Sequence, residues 1–129
     1  MRDLLLATTN PGKIKEVSVI LANIPLRLRT PADFGLNLSV VEDSESYAGN
    51  AYLKASAYAA ATGLPSLADD SGLEVQALGG APGVHSHRFS PLPSATDHDR
   101  CLYLLKQLSA YPRPWKARFI CAVLVCGIS

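Results

Sequence analysis

The chain has 129 residues, of which 48% are hydrophobic and 18% charged, and its formal net charge is +1. That size and composition describe one domain with a real hydrophobic core and exclude a disordered chain. A net charge this close to zero excludes a broad footprint for nucleic acid, so any bound anion must be held by a local site.

Three cysteines, Cys101, Cys121 and Cys126, form an odd set with no C-x-x-C pair. They are expected to be reduced, structural thiols of a cytoplasmic protein, with neither a disulfide framework nor a zinc site. Cys121 and Cys126 are five apart and so fall on opposite faces of a strand. The N-terminal apolar run is too short for a signal peptide. No window approaches the ~20 apolar residues of a membrane span, so no membrane partner is expected.

In chain order, residues 3 to 7 read as a buried strand ending in turn chemistry. Asn10 is a good N-cap and Pro11 a good first helical residue, predicting a helix to about Asn23 before Pro25. Its apolar stripe is Ile14, Val17, Ile20, Leu21 and Ile24. Leu26 and Leu28 alternate with Arg27 and Arg29, as in a half-exposed strand. Residues 30 to 45 read as loop, with a short strand near Leu38 to Val41.

From Ser46 an alanine-rich stretch predicts a second helix closed by Gly63, with Gly49 as a mild flaw. "LPSLADDSGLEVQALGGAPG" reads as strand, acidic turn, second strand and glycine-rich loop. Residues 96 to 109 predict a third helix with Leu102, Leu105 and Leu108 inward. Residues 117 to 125 are a strand too apolar to be exposed on both faces.

The stretch "ATTNPGK", 7 to 13, differs at two positions from the Walker A loop, with Ala7 for the first glycine and Ile14 for the metal-binding Ser/Thr. A small-polar turn opening a helix presents backbone N–H groups and a positive helix end, both suited to phosphate. Lys13 adds a charged donor, and Thr8, Thr9 and Asn10 add side-chain donors. A plain capped turn explains the same residues equally well. Ile14 cannot ligate magnesium, so a metal would need carboxylates from elsewhere.

"ADDSG", 68 to 72, offers such carboxylates, although neighbouring strand residues face opposite ways and one of Asp69 and Asp70 at most enters a given site. A carboxylate there is able to bind Mg²⁺ or take a proton from water, and Ser71 to bond phosphate; solvated acids in a turn are the alternative. Glu42 beside Asp43 is a second acidic pair. Lys54, in the alanine-rich helix, either reaches phosphates or snorkels to water. His85 and His87 read as loop histidines, while Arg88 suits phosphate by its forked geometry.

Five ordered pieces, "LLLATTNPGKIKEV", Glu42, "NAYLKASAYA", "LADDSGLEVQALGGAPGVHSHRFS" and "ARFICAVLV", resemble the inosine triphosphate pyrophosphatase family. The resemblance implies an α/β fold of that type, a mixed sheet flanked by helices. It implies Mg²⁺-dependent hydrolysis of non-standard purine triphosphates (ITP, dITP, XTP) to monophosphate and pyrophosphate, and a homodimer. By the same resemblance Thr8, Thr9, Asn10, Pro11, Gly12 and Lys13 form the triphosphate grip, with Lys54, Asp69 and Ser71 also at the substrate. Glu42 and Asp70 become the metal ligands, and Asp70 the proton acceptor. Gly49 stands where the family has an acid. The family's later base-recognition motifs, G-F-G-Y-D-P and a final S-H-R, are expected to be missing; Ser86-His87-Arg88 lies in a different segment and is not that motif.

Overall fold

The computed structural model describes all residues except 1, 91, 93, 94, 128 and 129, and omits the side chains of His87 and Arg88. Four strands and three helices follow in the order β1 (Arg2–Leu6), α1 (Pro11–Ile20), β2 (Leu26–Arg29), α2 (Tyr47–Thr62), β3 (Ser66–Val75), α3 (Asp97–Leu108) and β4 (Ala117–Cys126). The strand order is β2-β1-β3-β4, with β1 parallel to β2 and to β3. This is the α/β arrangement expected. The chain divides into two compact units, Met1–Asp69 with Ala122–Ser129, and Asp70–Cys121.

In the first unit β1 is the inner strand, and Leu4, Leu5 and Leu6 are all buried, as a strand covered on both faces requires. Its register sets Leu5 against Ser66 and Leu6 against Leu67. The Ala7 N–H donates to the Leu67 carbonyl at 2.8 Å, so pairing continues to the foot of the loop that follows. Leu5, Ala7, Ala55, Tyr58 and Ala68 form the core cluster, with Leu36, Leu38 and Val40 packed against it. The segment near Leu38 to Val41 therefore sits on the core, but as irregular chain and not as the expected strand.

Helix α1 begins as predicted and ends earlier, at Ile20, where Leu21 leaves helical geometry and its N–H bonds the Val17 carbonyl. No residue of it is buried, and Val19 and Ile20 are about 70% exposed. The expected inward stripe is therefore only half covered, by Ile14 and Val17.

Helix α2 runs from the Ser46 cap to Gly63, whose φ of 71° is the left-handed turn that a glycine closes without strain. Its buried stripe is Asn50, Ala51, Ala55 and Tyr58. Gly49 is not a flaw. A Cβ there would stand 2.0 Å from Ser44 Oγ and 2.8 Å from Ser44 Cβ, so the glycine admits the incoming loop against the first turn.

The expected turn at Asp69 to Gly72 does not form, because β3 runs unbroken for ten residues from Ser66 to Val75. The chain turns only beyond Val75, through a 3-10 segment at Gln76–Leu78 closed by Gly79 in the left-handed region. In the second unit Ser86 acts as a tether: it accepts the Leu73 N–H at 2.9 Å and donates to the Gly83 carbonyl at 2.7 Å.

Thr96 and Asp99 form a capping box at the start of α3. The Thr96 N–H holds the Asp99 carboxyl below its ordinary range, a contribution present above that range and lost as the solution is acidified through the lowered value. Leu108 is buried as predicted, whereas Leu102 and Leu105 are more than half exposed. Strand β4 alternates, with Phe119, Cys121, Val123 and Val125 exposed and Ile120, Ala122, Leu124 and Cys126 half-buried. One apolar face is thus open and the other half-covered, within the expectation that the strand is not exposed on both faces, and the two cysteines lie on opposite faces as expected.

Helix propensity alone predicts that Gly49→Ala stabilises α2 by up to about 1 kcal/mol. The overlaps with Ser44 and with Ser46 Oγ, 2.8 Å away, reverse the sign: urea denaturation should show a loss of about 1–2 kcal/mol, only part of which returns when Ser44→Gly is added.

Candidate functional site

The first loop is built by its own side chains. Asn10 Oδ1 accepts the N–H groups of Gly12 (2.9 Å) and Lys13 (3.3 Å), and Thr8 Oγ1 accepts the N–H of Asn10 (3.1 Å). Three of the loop's N–H groups are therefore already bonded, so a bare backbone nest of the P-loop kind is not what this turn presents. Using the oxygens of Thr8 and Asn10 as acceptors leaves the Thr8 hydroxyl hydrogen and the Asn10 amide NH₂ as donors. Thr9, Pro11 and Gly12 are exposed around them.

Lys13, whose own N–H makes the second capping bond, is about one-third exposed. Its Nζ lies 3.0 Å from Asp69 Oδ2 and 3.8 Å from Glu16 Oε2. Asp69 is the better buried partner, at 18% exposure. The structure thus brings together the loop and the first acid of "ADDSG", a pairing the sequence reading did not make. The only hint was that strand alternation lets one of two neighbouring aspartates face a given side.

A second pair lies in the same unit, with Lys54 Nζ 3.5 Å from Glu42 Oε1. Glu42 sits just before Ser44, whose N–H donates to the buried Asn50 side chain at 2.9 Å. Asn50 therefore fixes the approach of the acidic loop to α2, and Lys54 meets its carboxylate one turn further on. Sequence reasoning gave Asn50 no role. An asparagine inside an alanine-rich helix is locally unfavourable, and that cost was the available signal.

Asp70 and Ser71 follow Asp69 on β3, Asp70 half-buried and Ser71 exposed. Arg88 ends the 3-10 segment Gly83–Arg88, and its side chain lies outside the described residues. His85 is exposed in the same segment.

Among the described residues no three His, Cys, Asp or Glu side chains gather as a metal cage. A magnesium ion needs no such cage, since it takes one or two carboxylates and keeps waters or phosphate oxygens for the rest. Glu42 is of this kind: a hard oxygen donor, about one-third exposed, beside a lysine.

A parallel β-α-β start whose first loop is self-capped and carries a carboxylate-held lysine defines an α/β protein with a cation fixed at a helix start. The Ham1 family model matches residues 4–128, and the chain belongs to that family. It is 50% identical over 122 residues to the dITP/XTP pyrophosphatase of Thermus thermophilus, covering 94% of this chain and 57% of that one. With the dITP/XTP pyrophosphatase of Syntrophobacter fumaroxidans it shares 47% identity over 93% of this chain and 51% of the other. A solved HAM1 protein from Coxiella burnetii superposes with a TM-score of 0.88 at 34% identity, over 97% of this chain and 63% of that one. The chain thus spans a little over half the length of these curated relatives. The family and fold expected from the sequence hold.

Removing the cap should be separable from changing its charge. Asn10→Ala is expected to lose about 1 kcal/mol in urea denaturation, whereas Asn10→Asp, also a good N-cap, should lose only a few tenths.

Proposed function

We propose that this chain handles the phosphates of a Mg²⁺-dependent pyrophosphohydrolase that converts non-standard purine nucleoside triphosphates (ITP, dITP, XTP) to monophosphate and pyrophosphate. The observation that carries this is Lys13, fixed at a capped helix start by Asp69, in a chain half identical to a dITP/XTP pyrophosphatase.

Thr8 and Asn10 donate to phosphate oxygens, and Lys13 exchanges its carboxylate partner for them. The exchange is inexpensive, since a partly exposed ion pair is worth on the order of 1 kcal/mol or less. Thr9, Pro11 and Gly12 shape the rim, and Lys54 supplies a second cation to the leaving pyrophosphate. Asp69 keeps Lys13 in position, Ser71 bonds phosphate, and Arg88 adds a forked donor. Asp70 accepts the proton of the attacking water, which adds to the α-phosphorus as the bond to the bridging oxygen breaks. Glu42 and Asp70 would hold the magnesium, which when bound neutralises charge on the phosphate oxygens.

A cytoplasmic location and a homodimer belong to the same reading. The first is supported by an odd set of three cysteines with no C-x-x-C pair. The open apolar face of β4 supports the second.

With ITP and Mg²⁺, pyrophosphate release is expected to fall by two orders of magnitude or more, roughly, in Asp70→Asn. Asn10→Asp should raise KM more than it lowers kcat, because a carboxylate at the cap repels the phosphates it leaves room for. Full activity in Asp70→Asn refutes the assignment. Thermal stabilisation of the wild-type chain by ITP without any product makes it a nucleotide-binding domain instead.

A further inference from the structure

The second unit contains a cavity of about 310 Å³ lined by Glu74, Gln76, Gly80, Lys116, Ala117 and Arg118. None of these residues has a part in the chemistry above, and the volume matches the lower end of small-ligand sites. Two backbone features fix its walls. The Gln76 N–H donates to the Lys116 carbonyl at 2.9 Å, joining the end of β3 to the start of β4. Gly80, with φ of 93°, closes the facing turn without a side chain, and open space lies where its Cβ would stand.

Lys116 and Arg118 are two residues apart, at the start of β4 and just before it, so both project to one side about 7 Å apart. Arg118 is committed to Glu74, with Nε and Nη2 each 2.9 Å from Oε1. Lys116 forms no ion pair among the described residues, so the cavity carries one uncompensated cation. From Arg100 to Arg118 the sequence holds five cations, Arg100, Lys106, Arg113, Lys116 and Arg118, and no acid, in a chain whose net charge is only +1; Lys116 and Arg118 are the two that line the cavity.

We propose that this cavity is a second anion site for a small phosphate-bearing ligand of the diphosphate class, held by Lys116 and Arg118 and tuned by Glu74. Lys116 donates directly; Arg118 offers the donors that Glu74 does not engage, and the Gln76 amide completes a polar rim. Glu74 acts as the opposing charge that keeps the empty site neutral around Arg118 and limits its affinity. The site is independent of the hydrolytic reading and stands if that reading fails.

The test is calorimetric titration of the full chain with inorganic pyrophosphate, in a Lys13→Ala background that removes the first loop's cation. Binding should remain in that background. Lys116→Glu should weaken it roughly tenfold or more, as expected for losing one charge-assisted bond and gaining a repulsion. Glu74→Gln should strengthen it several-fold, an increase that a merely structural Glu74 would not produce. Lys116 is exposed and Glu74 half-buried, and melting temperatures check that each variant is folded. Absence of binding up to about 10 mM pyrophosphate in the Lys13→Ala chain overturns the proposal, since an affinity so weak is no site. Binding that ignores Lys116→Glu and Glu74→Gln overturns it equally.

Discussion

The ion pair between Lys13 and Asp69 is the contact on which the first unit's chemistry depends. It joins the start of α1 to β3, two elements already tied through β1 by the parallel register Leu5 to Ser66 and Leu6 to Leu67. The sheet fixes where the carboxylate stands, and the cap fixes where the lysine begins. Because the pair is only partly buried, its stability contribution is small, and that smallness is useful. A deeply buried pair would resist giving its cation to a phosphate, since an unpaired charge left in the interior costs several kcal/mol. Here solvent reaches the lysine, and under the proposed function a triphosphate replaces the aspartate as its partner.

The second half of the same unit uses a different device to bring charge to the core's edge. Gly49 leaves room for Ser44, Asn50 accepts the Ser44 N–H, and the loop carrying Glu42 is drawn onto α2 where Lys54 waits. The interactions are short and local, but their anchor is buried: Asn50 is 1% exposed and would cost dearly without its partner. In both halves a lysine is paired with a carboxylate. The arrangement stores positive charge near the loop without leaving it bare.

Much of this was legible in the sequence where local chemistry decides. Asn10, Pro11, Ser46, Gly63 and the capping pair Thr96 and Asp99 stand at or next to helix ends, because capping bonds span three residues and need no tertiary partner. The continuous apolar run of β1 announced a buried strand, and the structure adds that its pairing with β2 and β3 is parallel. What escaped depended on distant neighbours. Asp69 to Gly72 has turn composition, yet the strand continues through it, since sheet pairing outweighs turn preference. Leu102, Leu105, Ile20 and Phe119 have core composition and are exposed, because apolarity says what a residue prefers, not what lies over it. The partner of Lys13 lies 56 residues away along the chain (69 − 13), and no local pattern encodes such a pair.

These constraints give the loop its form: a self-capped turn that presents side chains and not a naked backbone nest, beside a lysine held by a partly exposed carboxylate. The proposed hydrolysis rests on that form and on the family. Hydrolysis of ITP in isotopically labelled water, with Mg²⁺ present, tests the account most directly. The account predicts pyrophosphate as the inorganic product, with the labelled oxygen in the nucleoside monophosphate. Orthophosphate as the product, or label carried by the pyrophosphate, would contradict it.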